Sequence, residues 1–323
     1  MFKNSIKQIM NVNRTISINI YLFILILALI IILIYVRNNI SLYINRLLVN
    51  MKVIKCNKPY KVVVFDLDET LGYFTEISIF WDALESFYGK KLTNDSFFEL
   101  LDVFPEFFRP EIFRILNMIN NKKKRNICNE SYIYTNNQGP KSWTKMINDY
   151  FNYKLGFKTF NGIIGAYKVQ GKIIEPKRTS HDKSVKDLIS CTNIPETSEI
   201  CFIDDLYHPL MDKDNVNYIH IKPYNYNLTF YEMANRYYDR VLLKNKRTMV
   251  NKNLIVREDF VKYIVSFMNH YNYNVIKKTE EKQMVDITES KNLYTNLENF
   301  LKVNKPINTR KKNIRKNKTI KHN

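Results

Sequence analysis

The sequence predicts an α/β fold in which a parallel β-sheet is flanked by helices. Short apolar or β-branched runs alternate along the chain with longer segments of helical periodicity, a pattern typical of buried parallel strands. Two of these runs each lead into a pair of carboxylates: Asp66 and Asp68 after residues 62–65, and Asp204 and Asp205 after residues 199–203. Because such sheets carry functional side chains at the C-terminal ends of their strands, the two pairs are expected to meet at one edge.

The remaining elements follow the same alternation. Further strands are predicted over residues 131–135, 162–174 and 216–221, and the second of these includes a hairpin with Gln170-Gly171 at its turn. Apolar spacing predicts helices over the following segments: 107–119, with Pro110 near its start; 140–151; a segment capped by Thr179 or Ser180; 230–243; and 255–268.

Composition indicates a folded chain with basic ends. The chain has 323 residues, of which 45% are hydrophobic and 14% aromatic, enough to bury the core of one large domain or two small ones. Its net charge of +19 is concentrated in residues 1–58 and 302–323, which contain Lys and Arg but no Asp or Glu. The middle of the chain is therefore near neutral, which does not favour a nucleic-acid groove across the core.

The N-terminal part of the chain contains a candidate membrane span. Residues 15–36 carry no charge and are mostly Ile and Leu, a run long enough to cross a bilayer as a helix. A cleaved signal peptide is less favoured because the run is long and lacks a small-residue cleavage site. Initiation at Met51 would give the same core without the span.

The four cysteines favour a reducing compartment. They show neither CxxC spacing nor the density of a disulfide scaffold, so free buried thiols are predicted at Cys56, Cys128, Cys191 and Cys201. We therefore expect a single-pass membrane protein whose folded part lies in the cytosol.

The first carboxylate pair is predicted to bind a cation. Two carboxylates two positions apart repel each other and lose hydration at the end of a buried strand, so a metal is the simplest reason to place Asp66 beside Asp68. A calcium loop of the EF-hand type is not favoured, because it needs Gly at its sixth position and Glu at its twelfth, where this chain has Leu71 and Ile77.

A polar cluster, residues 135–139, follows the second predicted strand. The hydroxyl of Thr135 and the neighbouring amides could bind an anion together with backbone N–H groups at the next helix start. Taken alone, this cluster is more typical of an ordinary turn, but its place beside Asp66 favours the anion site.

The order of these features resembles the haloacid dehalogenase-like superfamily of phosphotransferases over residues 61 to about 222. Its branch of phosphatases acting on the RNA polymerase C-terminal domain, with mitochondrial import-type relatives, is the most similar; stand-alone proteins of this kind occur in large DNA viruses. The likeness is carried by residues 66–71 (DLDETL), Arg109-Pro110 and residues 185–188 (VKDL). The chain departs from the branch at residues 135–137, which are Thr-Asn-Asn rather than Thr-Ala-Ser.

The resemblance implies a Rossmann-like fold with a minimal cap, Mg²⁺ as cofactor, and an aspartyl-phosphate formed on Asp66. Asp68 would be the general acid and base, while Thr135 and a lysine would hold the phosphoryl oxygens. Lys183 is the preferred lysine because it would lie in the first turn of a helix starting at Ser180, with Lys186 and Lys177 as alternatives; His181 is interpreted as a helix-start residue. The metal ligands would be Asp66, Asp68 through its backbone carbonyl, Asp204 and Asp205.

The predicted organisation is a basic segment (1–14), a transmembrane helix (15–36), a basic linker (37–58), a phosphatase domain (59–225), a helical extension (226–301) and a basic disordered tail (302–323). Without room for a large cap, the cleft favours a phosphate displayed on a macromolecule. The expected function is a phosphoprotein phosphatase acting on Ser or Thr phosphate. The alternatives are a catalytically weak membrane-anchored scaffold and a nucleic-acid end phosphatase.

The basic tail provides a test of the nucleic-acid alternative. If residues 302–323 contact phosphates, deleting them should weaken binding to DNA or RNA and reduce its dependence on salt concentration. Fluorescence anisotropy with labelled duplexes at several salt concentrations would measure both. Unchanged binding would argue against a nucleic-acid substrate.

Overall fold

The structure is a computed structural model. It describes the following residues: 26–40, 43, 59–243, 249–250, 253–271, 273, 275 and 277–302. Helix α1 occupies residues 26–40, and its side chains are exposed. Among the described residues, no helix combines the length and the apolar character that a bilayer crossing requires. Much of the predicted span, most of the predicted linker and all but the first residue of the predicted tail lie outside this part of the chain.

A five-stranded parallel sheet forms the centre of the fold and confirms the predicted fold class, which fits a Rossmann-like architecture. Its strands are β1 (Lys61–Phe65), β2 (Glu130–Tyr134), β3 (Gly162–Ile164), β6 (Glu199–Asp204) and β7 (Val216–His220), in the spatial order β3-β2-β1-β6-β7. Every residue of β1 is buried because the strand pairs on both sides and is covered on both faces. This explains its uninterrupted apolar sequence.

Helices cover the sheet, and two short hairpins accompany them. The helices are α2 (Thr75–Tyr88), α3 (Asn94–Val103), α4 (Ile112–Lys124), α5 (Lys141–Leu155), α6 (Val185–Thr192), α7 (Phe230–Tyr237, continued by a π-helix Tyr238–Leu243), α8 (Arg257–Asn269) and α9 (Glu280–Phe300). The hairpin strands are β4 (Lys168–Val169) with β5 (Lys172–Ile173), and β8 (Met249–Val250) with β9 (Asn253–Leu254). The predicted turn at Gln170-Gly171 is confirmed, since both residues have the positive φ that such a turn requires.

The predicted start of the helix after residue 178 is wrong. Helix α6 begins at Val185, and its N-cap is Ser184, whose Oγ accepts the backbone N–H of Asp187 at 3.1 Å. Thr179 does not cap the helix because its N–H and Oγ1 both donate to the carboxylate of Asp187, at 2.9 and 3.0 Å. Residues 179–184 therefore form a loop held against the start of the helix.

The C-terminal helices belong to the same core as the sheet. One large apolar cluster on one face of the sheet includes residues of α2–α5 and of α7–α9. It contains edge-to-face ring contacts, with ring centroids 5.6 Å apart for Phe80 and Tyr237 and 5.1 Å apart for Phe87 and Phe260. A smaller cluster, with Leu188 of α6, covers the other face. The helical extension predicted after residue 225 thus packs as part of one folded unit.

Three of the predicted free thiols lie in the described part of the chain and are free. Cys128 and Cys201 are buried and Cys191 is half-buried, while Cys56 lies outside the described residues.

Glu76 is a carboxylate buried where α2 meets the segment that leads into α7. Its side chain is inaccessible to solvent, one oxygen accepts the N–H of Leu228 at 3.2 Å, and the other oxygen has no partner. Burial raises the pKa of Glu76 to about 8. The folded protein therefore keeps this proton well above the pH at which the unfolded chain loses it.

We predict that Glu76→Gln removes a pH-dependent loss of stability. The free energy of unfolding of the wild type should fall as pH rises from the usual carboxyl range towards 8, because only the unfolded chain releases the proton readily. At pH near 8 the variant should be more stable by on the order of 2 kcal/mol, as judged by urea unfolding. Glu196→Gln, at an exposed position, is the control; equal pH slopes in wild type and Glu76→Gln would contradict the prediction.

Candidate active site

Three carboxylates meet at the C-terminal edge of the sheet. Asp66 follows β1 and Asp204 ends β6, and these neighbouring strands pair in register so that the N–H of Asp66 donates to the carbonyl of Ile203 at 2.9 Å. Oxygens of Asp66, Asp204 and Asp205 all lie within 4.8 Å of one another. The two predicted carboxylate pairs therefore contribute to one site.

Lys183 lies between two of these carboxylates. Its side chain is only 2% exposed, and its Nζ donates to Oδ1 of Asp66 and, at 2.7 Å, to Oδ2 of Asp204. The alternative lysines, Lys177 and Lys186, are exposed. Lys183 reaches the site from the loop before α6 and not from the first turn of the helix, because that helix begins two residues later than Lys183.

Asp68 has a different partner from the other three carboxylates. Its Oδ2 accepts the side-chain amide of Asn137 at 2.7 Å, and its side chain is not part of the three-carboxylate group. The predicted convergence of four acidic side chains is thus observed for three of them, which leaves the backbone carbonyl as the predicted contribution of Asp68 to a metal.

Asn137 connects Asp68 to Thr135. Thr135 is 1% exposed, and its Oγ1 accepts the backbone N–H of Asn137 at 3.0 Å, while the side-chain oxygen of Asn137 accepts the N–H of Gly139 at 2.8 Å. The sequence predicts Asn137 only as one member of the polar cluster of residues 135–139. The one sequence feature that points to a role for Asn137 is its position two residues after Thr135, in the Thr-Asn-Asn segment.

Two further side chains lie against the second carboxylate pair. Oδ1 of Asp205 accepts the hydroxyl of Thr70 at 3.0 Å, which ties the two carboxylate-bearing loops together. Oδ1 of Asp204 accepts the N–H of Leu206 at 2.9 Å, and Nε2 of His208 lies 3.4 Å from its Oδ2. Thr70 belongs to the motif of residues 66–71, but its contact with Asp205 joins segments that are distant in sequence, and no sequence pattern predicts His208 beside Asp204.

Arg109 fixes the loop that follows β1. This buried guanidinium donates to the carbonyls of Glu69 at 2.5 Å, Thr70 at 2.6 Å and Lys222 at 2.8 Å. Glu69 needs such support because its φ of 58° is in the left-handed region, which a residue with a Cβ rarely adopts. Arg109 therefore holds the backbone on which Asp66 and Asp68 are placed.

The site carries more negative charge than its own lysine can balance. Burial, together with nearby carboxylates, raises the pKa of Asp66 even though Lys183 opposes the shift, and burial likewise raises the pKa of Asp68 and of Asp205. Burial also acts against ionisation of Asp204, but its contacts with His208 and Lys183 hold its pKa below the usual range. A cation among these oxygens would stabilise the ionised carboxylates.

The donor set fits Mg²⁺. The clustered ligands are all carboxylate oxygens, which are hard donors of the kind that Mg²⁺ prefers, and they come from two neighbouring strand ends. Burial raises the pKa of Asp66 and of Asp205, so an ion among these oxygens would favour their ionised form. Asp66, Asp204 and Asp205 are the side chains that would hold it.

Two clefts lie beside the site and share the lining residues Asn137, Gly139, Pro140 and Ser142. One, of about 650 Å³, is lined by Thr135, by polar side chains such as Asn148 and by apolar side chains such as Ile163. The other, of about 530 Å³, is lined by Asp68, Trp81 and residues of α5. Asn137 lines both clefts, so the two clefts border the site on the side of Asp68 and Thr135.

Comparison of the chain with models of protein families, with curated proteins and with solved structures finds no match. The motif resemblance described above therefore stays a prediction.

We predict that Mg²⁺ stabilises the protein and does so more strongly at pH 8 than at pH 6. Without a cation, the raised pKa values of Asp66, Asp68 and Asp205 mean that stability declines as pH rises above the usual carboxyl range, because the unfolded chain releases protons that the fold still keeps. A bound cation reverses this decline because it competes with protons for the same oxygens.

Thermal unfolding with and without Mg²⁺ at both pH values measures this effect. At a concentration of 100 times the dissociation constant, the gain should be about 2.7 kcal/mol. Asp205→Asn should reduce the shift, whereas Asp214→Asn, at an exposed position, should leave it unchanged. A shift that is the same in all three proteins would place the ion elsewhere.

Proposed function

We propose that this protein is a Mg²⁺-dependent phosphatase that hydrolyses phosphate monoesters through an aspartyl-phosphate on Asp66. The observation that carries the proposal is the placement of Asp66 at the end of the central strand, bonded to Lys183 and grouped with Asp204 and Asp205. A nucleophile, a cation to hold phosphoryl oxygens and an oxygen-rich cation site are the parts that phosphoryl transfer needs.

Asp66 is the nucleophile in this proposal. Its carboxylate attacks phosphorus while the bond from phosphorus to the leaving oxygen breaks, and water then attacks phosphorus of the aspartyl-phosphate to release inorganic phosphate and restore the carboxylate. Forming the covalent intermediate divides one difficult displacement into two easier ones. Lys183, which donates to Asp66, and the hydroxyl of Thr135 hold the phosphoryl oxygens.

Asp68 moves the protons. Burial raises the pKa of Asp68, which favours the protonated form that the first step requires, and the hydrogen bond from Asn137 orients the group. Asp68 gives its proton to the leaving oxygen in the first step and takes one from the attacking water in the second. Asp68 therefore ends the cycle in the protonation state in which it began.

Mg²⁺ would be held by Asp66, Asp204, Asp205 and the backbone carbonyl of Asp68. When bound, it neutralises charge where an anionic carboxylate and an anionic phosphoryl group must meet.

A phosphoprotein carrying Ser or Thr phosphate is the proposed substrate. The chain between Asp68 and Thr135 forms α2–α4, which pack in the core, and the clefts beside the carboxylates extend along the surface. A phosphate displayed on a macromolecule suits such a site, because a small metabolite would need a lid to exclude water.

We also propose that residues 15–36 anchor the protein to a bilayer, with the catalytic part in the cytosol. The described part of this segment is helical, and its apolar side chains are unusually exposed, among them Leu29, Ile31 and Leu33 at 57–60%. A continuous exposed apolar surface of this kind favours contact with lipid.

Asp66→Asn provides the test of the proposed chemistry. In the purified full-length protein with Mg²⁺, wild type should hydrolyse an aryl phosphate, and Asp66→Asn should lower kcat/KM by about 10³-fold or more because the amide is a poor nucleophile. Asp214→Asn is the matched control, since the same change is made at an exposed aspartate.

The outcomes separate the candidate functions. Equal inactivity of wild type and Asp66→Asn would favour the scaffold alternative. If wild type is active, a screen of phosphopeptides, phosphosugars and nucleic-acid ends identifies the substrate class. Preference for nucleic-acid ends would replace the phosphoprotein proposal without altering the chemistry.

A further inference from the structure

Arg178 is a buried guanidinium that contacts three separate segments near the site. Its side chain is 2% exposed. One terminal nitrogen, Nη1, donates to the carbonyls of Thr135 at 3.2 Å and Gly165 at 2.8 Å, and the other, Nη2, donates to the carbonyl of His181 at 2.8 Å. The planar fork of an arginine can serve several acceptors at fixed angles, which a lysine cannot.

Two of these carbonyls lie just beyond the ends of strands. Thr135 follows β2, and Gly165 follows β3. The N–H of Thr135 still donates to Ile164 at 2.9 Å, but the two carbonyls receive their hydrogen bonds from Arg178. Arg178 thus links β2 and β3 beyond the last hydrogen bond of the sheet, next to the side chain of Thr135.

The third carbonyl belongs to the loop that carries Lys183. His181 is two residues before Lys183, so the bond from Arg178 fixes the loop just ahead of the lysine. In the residue after Lys183, the N–H of Ser184 donates to the hydroxyl of Tyr134 at 3.2 Å. The Cζ atom of Arg178 lies 4.8 Å from the ring centroid of the same tyrosine. Arg178 and Tyr134 therefore hold the loop on both sides of Lys183.

The charge of Arg178 is not used in an ion pair with any carboxylate among the described residues. Its three acceptors are neutral carbonyls, and its Nε is buried without a partner. Burying a cation in this way is unfavourable, so the contacts it makes must contribute something that the fold needs locally. All three acceptors lie on segments that border the site.

We propose that Arg178 is a positioning residue that keeps the ammonium of Lys183 between Asp66 and Asp204. Without the guanidinium, the loop loses its ties to the carbonyls of Thr135 and Gly165. The contact of Ser184 with Tyr134 is then too little to keep Lys183 at the carboxylates. The effect on catalysis rests on the proposed function, whereas the effect on the placement of Lys183 does not.

Lysine acetylation of the full-length protein, quantified by mass spectrometry, measures the placement directly. Lys183 should be protected in wild type because it is buried, while the exposed Lys177 and Lys186 serve as internal references. Arg178→Met should raise the acetylation rate of Lys183 by about tenfold or more relative to these references, since local opening exposes it. Arg178→Lys should lie between the two, and Lys186→Met, an exposed change in α6, should leave Lys183 protected.

Hydrolysis of an aryl phosphate gives a second readout. Displacing Lys183 should lower kcat by about 10²-fold with little change in KM. Arg178→Ala should recover part of this loss when guanidinium ion is added, because the ion can occupy the vacated space; Lys183→Ala should not recover.

The results distinguish two kinds of failure. Lys183 that stays protected in both Arg178→Met and Arg178→Ala would overturn the inference, as would loss of the folded state in every Arg178 variant by circular dichroism. If the acetylation pattern is as expected but wild type hydrolyses no phosphate ester, the positioning role stands and the proposed function fails.

Discussion

The ion pairs of Lys183 with Asp66 and Asp204 are the constraint on which the rest of the site depends. Removing one partner of a buried ion pair leaves an uncompensated charge and typically costs 3–5 kcal/mol. The three groups come from β1, from β6 and from the loop before α6, so the pairs exist only if all three elements are in place. The sheet register supplies the first two, and the loop must supply the third.

Buried arginines hold the loops beyond the strand ends, where the hydrogen bonds of the sheet stop. A parallel strand that ends leaves carbonyls without a ladder partner, and these must be satisfied elsewhere. Arg109 serves the carbonyls after β1 and a segment after β7, while Arg178 serves those after β2 and β3. Each guanidinium also lies over a tyrosine ring, Tyr224 or Tyr134. The loops that surround the charged site are therefore tied to the fold by buried guanidinium groups.

The placement of the carboxylates by these loops has an electrostatic consequence. The carboxylates at the site are buried close to one another beside the single lysine Lys183, and burial raises the pKa of Asp66, Asp68 and Asp205. The fold thus keeps these groups in an arrangement that opposes their ionisation, and a bound cation would favour their ionised form. The C-terminal helices add to the apolar core beneath the site, which supplies stability that can offset this cost.

The sequence alone predicted the parallel sheet and the presence of Asp66 and Asp204 at the same edge of it. Both predictions rest on local patterns, namely apolar strand runs and the carboxylates that follow them. The tertiary structure decided which lysine reaches them, where α6 begins, and that Asp68 bonds to Asn137. It also decided the use of Arg109 and Arg178, which no spacing predicted. The physical reason is that a buried polar group is specified by its partners, and those partners come from segments distant along the chain.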